Sequence, residues 1–293
     1  MMLPFLLLGL FTHANGWVVA NVLIYGADKS GRKLSTNALN LALAYLQQQG
    51  GGSLYFPAGT YVSGPFNLTS NIELLLDDAT LVAGPPSTFQ LIPPLPSYGM
   101  GRDKLKNDLN GRFEPFIGCY NSTNVSITTN SSGIIDGNGM PWYAAKESNL
   151  LNNTPPHLFE SGWSRDIKIG APVGSPVNAL TFVSSPFWNM HLYDSDNAWV
   201  HDISVFADPE VGNTDGCDPD SSRNVLIERM QYVGGDDGVA IKSGWDQAGI
   251  DYNTPVVNIT VRDSTFTTRA CCVCVGSEMS GGECGKCNAN ANE

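Results

Sequence analysis

Two short acidic stretches decide the fold of this chain: Asn213-Thr-Asp-Gly-Cys-Asp218 and Gly234-Gly-Asp-Asp-Gly238. Asp215 precedes Asp236 by 21 residues and Asp237 by 22. A step of this length is typical of one coil in a parallel β-helix, where successive coils stack at the strand spacing of ~4.8 Å. The spacing therefore predicts that three carboxylates share one surface patch, which proteins maintain mainly where chemistry needs it.

The predicted strands around these stretches are short, and an asparagine opens most of them. They recur at intervals of roughly 20 to 50 residues, as in a solenoid, and are too closely spaced for βαβ units. A β-sandwich, the competing fold, would alternate polar and apolar residues more cleanly. We therefore predict an all-β parallel β-helix, with strands beginning near Asn71, Asn124, Asn178, Asn197, Asn224 and Asn258.

Residues 35–49 are predicted to form a helix near the N-terminus, where it would cover the open end of the β-helix. Ser35 or Thr36 can cap its start, and three glycines follow its end. Residues 91–110 are rich in Pro, Gly and charge, and they predict a long surface loop. Because no linker composition separates two units, residues 17–282 are expected to form one domain.

Composition limits the partners of this protein. The chain has 293 residues, a hydrophobic content of 42% and a net charge of −12. The hydrophobic content argues against disorder, and the negative charge disfavours nucleic acid as a partner. It does not exclude an acidic polysaccharide, because local cations can override the global field.

The N-terminus resembles a secretory signal. Residues 1–16 are mostly apolar, too short for a membrane span, and end in Ala14-Asn15-Gly16. No Lys or Arg precedes Lys29, so a buried first strand or a misassigned start codon is the alternative. A secreted protein without a membrane anchor is expected, and six possible glycosylation sites agree with this: Asn67, Asn121, Asn124, Asn130, Asn152 and Asn258.

Five of the seven cysteines crowd into the last 23 residues. Cys284-Gly-Lys-Cys287 has the spacing of a metal or redox site. Zinc needs four ligands, and neither a second such pair nor a nearby His pair is present, so we expect a disulfide. The odd count leaves at least one thiol unpaired. Residues 283–293 form an atypical Cys-containing tail.

The acidic clusters contain the groups needed for glycoside hydrolysis. One carboxylic acid must protonate the leaving oxygen while another carboxylate acts on water or the sugar. In a strand Asp236 and Asp237 would point apart, but the neighbouring glycines allow a turn that re-aims one of them. A calcium loop or a polar turn is the alternative, and spacing alone leaves enzyme and non-enzyme open.

The motifs Asn213-Thr-Asp-Gly-x-Asp218 and Gly235-Asp-Asp-x-x-Ala-Ile-Lys-Ser-Gly244 resemble glycoside hydrolase family 28, the polygalacturonase-like pectin hydrolases. The resemblance covers about residues 22–282. It implies a right-handed parallel β-helix and a monomeric enzyme that cleaves α-1,4-galacturonosyl linkages of pectin with inversion, without cofactor or metal. Segments that resemble the plant-type branch are Ile92–Gly99, Gly133–Gly139, Ser185–His191 and Gly276–Gly282.

The resemblance also implies roles for individual residues. Asp236 would be the general acid, while Asp215 and Asp237 would hold and activate the water. Inversion would place the acid and base carboxyls ~6.5–9.5 Å apart. Residues expected to support the site or bind substrate are Asn213, Asp218, Lys242 and His191.

Three departures from the family pattern stand out. Cys271 occupies the position where many members carry the histidine of Gly-His-Gly. The Arg-x-Lys with which the family binds the substrate carboxylate is missing. Arg165-Asp-Ile-Lys168 lies too far upstream to replace it and is interpreted as ordinary strand sequence. The family also continues beyond residue 282, which indicates a C-terminally truncated product. The alternatives are therefore a calcium-dependent pectate-lyase-like enzyme or a non-catalytic relic.

Other candidate residues carry weaker signals. The four histidines show no ligand spacing with one another, and His157 and His201 are expected in the core or on the surface. Trp188 could stack on sugar but is expected to serve in packing.

Overall fold

The structure is a computed structural model that describes residues 17–99, 111–282 and 287–291, the last as backbone only. The proposed signal segment, half of the 91–110 loop and the Cys284–Cys287 pair therefore lie outside the residues whose side chains are described.

Short strands dominate the described chain, with three α-helices and three 3-10 helices. The helices are α1 Thr36–Gln48, α2 Met140–Glu147 and α3 Asp246–Tyr252, and the 3-10 helices are Val22–Tyr25, Pro86–Thr88 and Pro96–Tyr98. The strands are β1 Val19–Asn21, β2 Ser30–Leu34, β3 Gly52–Phe56, β4 Gly59–Ser63, β5 Phe66–Leu68, β6 Ile72–Leu76, β7 Ala79–Ala83, β8 Leu91–Ile92, β9 Arg112–Phe113, β10 Ile117–Tyr120, β11 Thr123–Thr129, β12 Gly133–Asp136, β13 Phe159–Gly162, β14 Arg165–Gly170, β15 Leu180–Val183, β16 Met190–Tyr193, β17 Asp196–Phe206, β18 Cys217–Asp220, β19 Arg223–Gly234, β20 Val239–Ile241, β21 Val257–Thr268, β22 Val273–Val275 and β23 Cys287–Ala291.

The strands form a parallel β-helix, as predicted. The 14-stranded sheet has two limbs, which meet where the long strand β17 pairs with β14 through one half and with β15 through the other. A seven-stranded sheet, ordered β5-β10-β13-β16-β18-β20-β22, forms the remaining face. Among the described strands, only the β8–β9 pair is antiparallel. Apolar side chains from all faces meet in one continuous core.

Asparagines form the corner at which each coil enters the 14-stranded sheet. Asn71, Asn124, Asn224 and Asn258 have φ between 56° and 61°, a left-handed conformation that asparagine tolerates better than most residues. Their side chains also bond from coil to coil. Asn124 Nδ2 donates to Asn71 Oδ1 at 2.9 Å, and Asn258 Nδ2 donates to Asn224 Oδ1 at 2.8 Å. The recurring asparagines noted in the sequence thus mark these corners.

Helix α1 covers the N-terminal end of the β-helix, as predicted. Its buried residues Leu39 and Leu46 join the core. Ser35 lies at the N-cap position, but its hydroxyl accepts from the Asp28 N–H at 3.0 Å instead of capping the helix. Within the described residues, no helix is long and apolar enough to cross a membrane.

The surface-loop prediction for residues 91–110 is wrong for part of the described stretch. Leu95, Ser97 and Tyr98 are buried against the seven-stranded sheet. Tyr98 donates to the buried Asp220, and the Ser97 N–H donates to the Tyr193 hydroxyl at 3.2 Å. Local composition indicated exposure, whereas these long-range contacts cover the segment.

Candidate active site

The two acidic stretches lie in adjacent coils. Cys217 on β18 pairs with Val239 on β20, and Gly216 donates to the Asp237 carbonyl at 2.9 Å. This register stacks Asp215 beside Asp237. One carboxylate oxygen from each of Asp215, Asp236 and Asp237 lies within 4.8 Å of the others. The structure therefore brings the three predicted carboxylates together.

A tight connection between β19 and β20 makes this convergence possible. A side chain on Gly235 would approach the Val211 carbonyl oxygen to 2.2 Å, and one on Gly238 would approach Phe266 Cδ1 to 2.3 Å. Both positions therefore require glycine for space. The re-aiming turn expected from the sequence is present between Gly234 and Val239, outside both strands.

Lys242 lies at the centre of the site with 2% of its surface exposed. Its ammonium is 2.9 Å from Glu278 and 3.7 Å from both Asp215 and Asp218, and it lies 4.2 Å from the centre of the Trp188 ring. Burial lowers the pKa of Lys242, but the surrounding carboxylates outweigh burial and raise it. This ammonium therefore stays charged and offsets part of the local negative charge.

Three aspartates around Lys242 have raised pKa values. Burial raises the pKa of Asp215 to about 7, with the attraction of Lys242 opposing the shift and the charges of Asp236 and Asp237 adding to it. Burial likewise raises the pKa of Asp218 well above its ordinary range and raises that of Asp237. One ammonium does not fully compensate this many carboxyls, which is why the pKa values of these three aspartates stay raised despite its attraction.

Asp236 is bound differently. Its Oδ2 accepts from the Asn213 N–H at 2.6 Å, and its Oδ1 accepts from the Asp237 N–H at 3.0 Å. Both carboxylate oxygens of Asp236 are therefore positioned by backbone N–H groups. Asp237 Oδ1 in turn accepts from the Cys271 N–H at 3.0 Å, so the backbone of the next coil positions this carboxylate.

These groups border a cavity of about 420 Å³. Glu278, which the sequence analysis did not single out, lies in the family-like segment Gly276–Gly282, and that segment was the available signal. Of the described residues that line the cavity, Lys242 is the one cationic side chain. The lining consists of Asn213, Asp215, Asp236, Asp237, Lys242, Cys274, Val275, Gly276, Ser277 and Glu278.

His191 does not line this cavity. Its buried ring lies between two carboxylates, with Nδ1 3.0 Å from Glu160 and Nε2 3.1 Å from Asp220. His157 Nδ1 contacts the same Glu160 oxygen at 2.7 Å, and the two histidine rings are 4.8 Å apart. The sequence analysis thus missed a real association between these histidines. Arg112 donates to both Glu160 oxygens, which makes this cluster a structural ion-pair network.

The remaining candidates lie away from the cavity or beneath it. Arg165 and Lys168 belong to β14 on the long sheet, as the ordinary-strand interpretation required, and Lys168 lies over Trp199. His201 is buried and stacks on the same tryptophan. Trp188 is 2% exposed, so it packs beneath the site and contacts Lys242.

A disulfide that was not predicted joins Cys271 to Cys274 beside the cavity. Among the described cysteines, Cys119, Cys217 and Cys272 are free thiols, in agreement with the expected unpaired cysteine.

The fold and the site define this chain as a parallel β-helix protein with an acidic cavity on one face. The model of the glycosyl hydrolases family 28 matches residues 57–283. The chain therefore belongs to glycosyl hydrolase family 28.

Individual relatives agree with this assignment. The chain is 39% identical over 269 residues to a probable polygalacturonase of Vitis vinifera, covering 90% of this chain and 52% of the relative. It is 28% identical to an endo-polygalacturonase of Pectobacterium parmentieri, covering 73% and 53%. A hyperthermoactive exopolygalacturonase from Thermotoga maritima superposes with a TM-score of 0.75 at 26% identity, covering 94% and 65%. The chain spans about half the length of these curated relatives.

Proposed function

We propose that this protein is a secreted, monomeric hydrolase that cleaves α-1,4-galacturonosyl linkages of pectin by acid/base catalysis with inversion. The observation that carries the proposal is the convergence of Asp215, Asp236 and Asp237 on one cavity above a buried ammonium. The names of the relatives support a galacturonan substrate. No cofactor takes part in this mechanism.

In the proposed reaction Asp236 gives its proton to the glycosidic oxygen as the C–O bond breaks. A water held by Asp215 and Asp237 adds its oxygen to the anomeric carbon, and its proton passes to that pair. The Asn213 and Asp237 N–H groups stabilise Asp236 once its proton has left. The raised pKa of Asp215 makes its ionised form a stronger base toward this water.

Stereochemistry needs a direct test, because the nearest oxygens of the three carboxylates lie within 4.8 Å. That is closer than the ~6.5–9.5 Å expected for inversion. Family membership nevertheless supports inversion, in which Asp215 and Asp237 would share one water. Proton NMR of the first products should show the β-anomer before mutarotation. An initial α-anomer would overturn the inverting mechanism.

Asp236→Asn should lower reducing-end release from polygalacturonate by about 10²–10⁴-fold, because the leaving oxygen loses its proton donor. Asp166→Asn is the matched control. Asp166 is an exposed aspartate at a left-handed corner, with φ 56° and a bond from Asn197. The control should retain full activity, and circular dichroism should show both variants folded.

An activated substrate separates the roles of the carboxylates. An aryl galacturonide with a good leaving group needs little protonation, so it should restore activity to Asp236→Asn but not to Asp215→Asn or Asp237→Asn. Rescue of Asp215→Asn instead would move the acid role to Asp215.

The two alternatives have their own signatures. A calcium-dependent lyase would give unsaturated, UV-absorbing products and lose activity with chelator. Three carboxylate oxygens within 4.8 Å could contact a cation, although Lys242 already lies 3.7 Å from Asp215. A relic would bind or ignore galacturonan without cleaving it. The lining of the cavity favours this alternative, because the ammonium of Lys242 already pairs with carboxylates of the protein.

Secretion is supported by exposure of the asparagine in all six possible glycosylation sites. Asn124 and Asn258 donate their amides to the corner ladder, so we expect glycans at the other sites in preference to these two. Mass spectrometry of protein recovered from the medium of expressing cells would identify the cleavage point and the occupied sites. Retention of the unprocessed chain in the cells would contradict secretion.

A further inference from the structure

The Cys271–Cys274 disulfide lies directly beside one of the three site carboxylates. The sulfur atoms of both cysteines and one carboxylate oxygen of Asp237 all lie within 4.8 Å of one another. Cys274 also lines the cavity. The bond links residues three positions apart in the sequence and joins Cα atoms that are 5.8 Å apart. It therefore fixes the short turn that leads into β22, at the border of the site.

This turn contacts Asp237 through its backbone. The Cys271 N–H donates to Asp237 Oδ1 at 3.0 Å. In the other direction the Gly238 N–H donates to the Cys271 carbonyl at 2.8 Å, and the Val239 N–H donates to the Cys272 carbonyl at 3.0 Å. These last two bonds hold the carbonyls of the turn, whereas the first depends on the orientation of the peptide that carries the Cys271 N–H. The disulfide restrains the residue to which that N–H belongs.

Asp237 has fewer donors than its neighbour. Among the described residues, the Cys271 N–H is the one hydrogen-bond donor to the Asp237 carboxylate. Asp236 accepts from two backbone N–H groups, one on each oxygen. Because one donor positions Asp237, this carboxylate should follow any movement of the turn that carries the disulfide.

We propose that the Cys271–Cys274 disulfide is a positioning element for Asp237, and that a thiol reductant converts the protein to a less active form by breaking it. The inference rests on the proposed function, in which Asp237 holds the attacking water. Both cysteines are partly exposed, so a small dithiol can reach the bond. The two thiols of the reductant close to a ring disulfide, while the Cys271–Cys274 S–S bond breaks and each sulfur takes up one electron and one proton.

Loss of this N–H would change the ionisation of Asp237 as well as its position. Burial raises the pKa of Asp237, and the bond from Cys271 opposes that shift. Without the bond the pKa should rise further, so the acidic limb of the pH–rate profile should move to higher pH. Reduction removes none of the other charged or titratable groups that face this carboxylate, which are Asp215, Asp236, Lys242 and Glu278.

Steady-state kinetics on polygalacturonate compare the oxidised protein with the protein reduced by dithiothreitol. Reduction should lower kcat by up to about 10²-fold, the cost of misplacing a reacting group by about 1 Å. KM should change far less, because the lost contact orients the water and not the sugar. Reoxidation should restore the rate. Unchanged kcat and an unchanged pH profile after complete reduction would overturn the inference and leave the hydrolase proposal intact.

Cysteine variants identify the bond responsible, because dithiothreitol would also reduce the Cys284–Cys287 disulfide expected from the sequence. Cys271→Ser/Cys274→Ser should have the kcat and pH profile of the reduced wild type, and dithiothreitol should change neither. Cys272→Ser is the matched control, because Cys272 is an exposed free thiol between the two partners. It should keep wild-type activity and the wild-type response to reductant. Peptide mapping should find Cys271 joined to Cys274, and another partner for either cysteine would overturn the inference.

Hydrogen exchange tests the positioning without turnover. Reduction should make exchange faster at the Cys271 N–H, because its bond to Asp237 is lost. The Asn213 N–H is the internal control, since it donates to Asp236 Oδ2 at 2.6 Å and lies outside the turn. Equal acceleration at both would mean that reduction loosens the whole site, which would overturn specific positioning. Absence of cleavage by the oxidised wild type would overturn the proposed function, and exchange at Cys271 would then still decide whether the disulfide holds Asp237.

Discussion

Two regions of the seven-stranded sheet treat buried charge in opposite ways: a covered half around Glu160, His157 and His191, and an open half around the carboxylates that border the cavity. In the covered half Glu160 accepts from Arg112 and contacts two histidines. Burial alone would raise the pKa of Glu160, but these partners hold it well below the ordinary range. In the open half burial dominates and raises the pKa of Asp215 to about 7. The same sheet therefore carries a buried carboxylate neutralised by its partners in the covered half and carboxyls with raised pKa values in the open half.

The difference lies in the number of partners. Asp215 Oδ1 and Asp218 Oδ2 are buried without a hydrogen-bond partner among the described residues, and Lys242 is 3.7 Å from both side chains. Leaving buried polar atoms unbonded costs stability. The covered half also contains such atoms, at Arg112 Nε and His157 Nε2, so the open half differs in that its unbonded atoms belong to carboxyls with raised pKa values.

The largest expected effect comes from breaking the covered half. Arg112→Met should lower the free energy of unfolding at pH 7 by about 3–5 kcal/mol, because it leaves Glu160 buried without its cation. Urea denaturation measures the change. Arg165→Met, at an exposed position on β14, is the control and should cost less than about 0.5 kcal/mol. Similar losses in both variants would mean that the covered network is not what stabilises this half.

The second prediction uses pH and applies to the open half. Asp215 has a pKa of about 7 in the folded protein against an ordinary 3.8, so between these values the folded state holds more protons than the unfolded state. Its contribution is fully present below the unfolded pKa and is lost as pH rises through the folded pKa. The free energy of unfolding should fall by up to about 4 kcal/mol from this group.

Asp215→Asn provides the measurement. Asparagine carries no charge, so the stability of the variant relative to wild type should increase between about pH 4 and pH 7. Glu160, with a lowered pKa, works in the opposite direction and stabilises the fold above its unfolded pKa. An unchanged difference between variant and wild type across this window would show that Asp215 does not titrate there.

Local sequence patterns explain why the coil, its corners and the acidic site could be predicted from the sequence. The spacing of Asp215 and Asp237 predicted the length of one coil. The recurring asparagines marked the corners, where the backbone is left-handed. Glycines flanking Asp236 indicated the turn. Each of these signals lies within a few residues or repeats from coil to coil, and a β-helix is built from such repeats.

The covered half was not predictable in the same way. Arg112 and Glu160 are 48 residues apart, and Tyr98 and Asp220 are 122 apart. These contacts join irregular segments to the sheet, and no periodicity links them. The polar composition of residues 91–110 even indicated a surface loop. Tertiary burial overrode that local signal for Leu95–Tyr98.

The smallest expected effect tests how the segment Leu95–Tyr98 is held against the seven-stranded sheet. Tyr98→Phe removes one donor to Asp220, which still accepts from the Gly244 N–H at 3.2 Å and the Ser221 hydroxyl at 3.0 Å. The buried carboxylate keeps these partners, so the loss of unfolding free energy should be about 1–2 kcal/mol. Hydrogen exchange should also become faster at Ser97, since its N–H bond lies in the same segment.

Tyr55→Phe is the matched control, because its hydroxyl also donates to an aspartate, Asp77, at 3.0 Å on a partly exposed surface. Water can replace that bond, so the cost should stay below about 0.5 kcal/mol and exchange at Ser97 should not change. Equal losses of unfolding free energy in the two variants, with unchanged hydrogen exchange at Ser97, would mean that apolar packing alone holds Leu95–Tyr98 in place. Faster exchange only in Tyr98→Phe would show that the bond to Asp220 secures the covered half against the sheet.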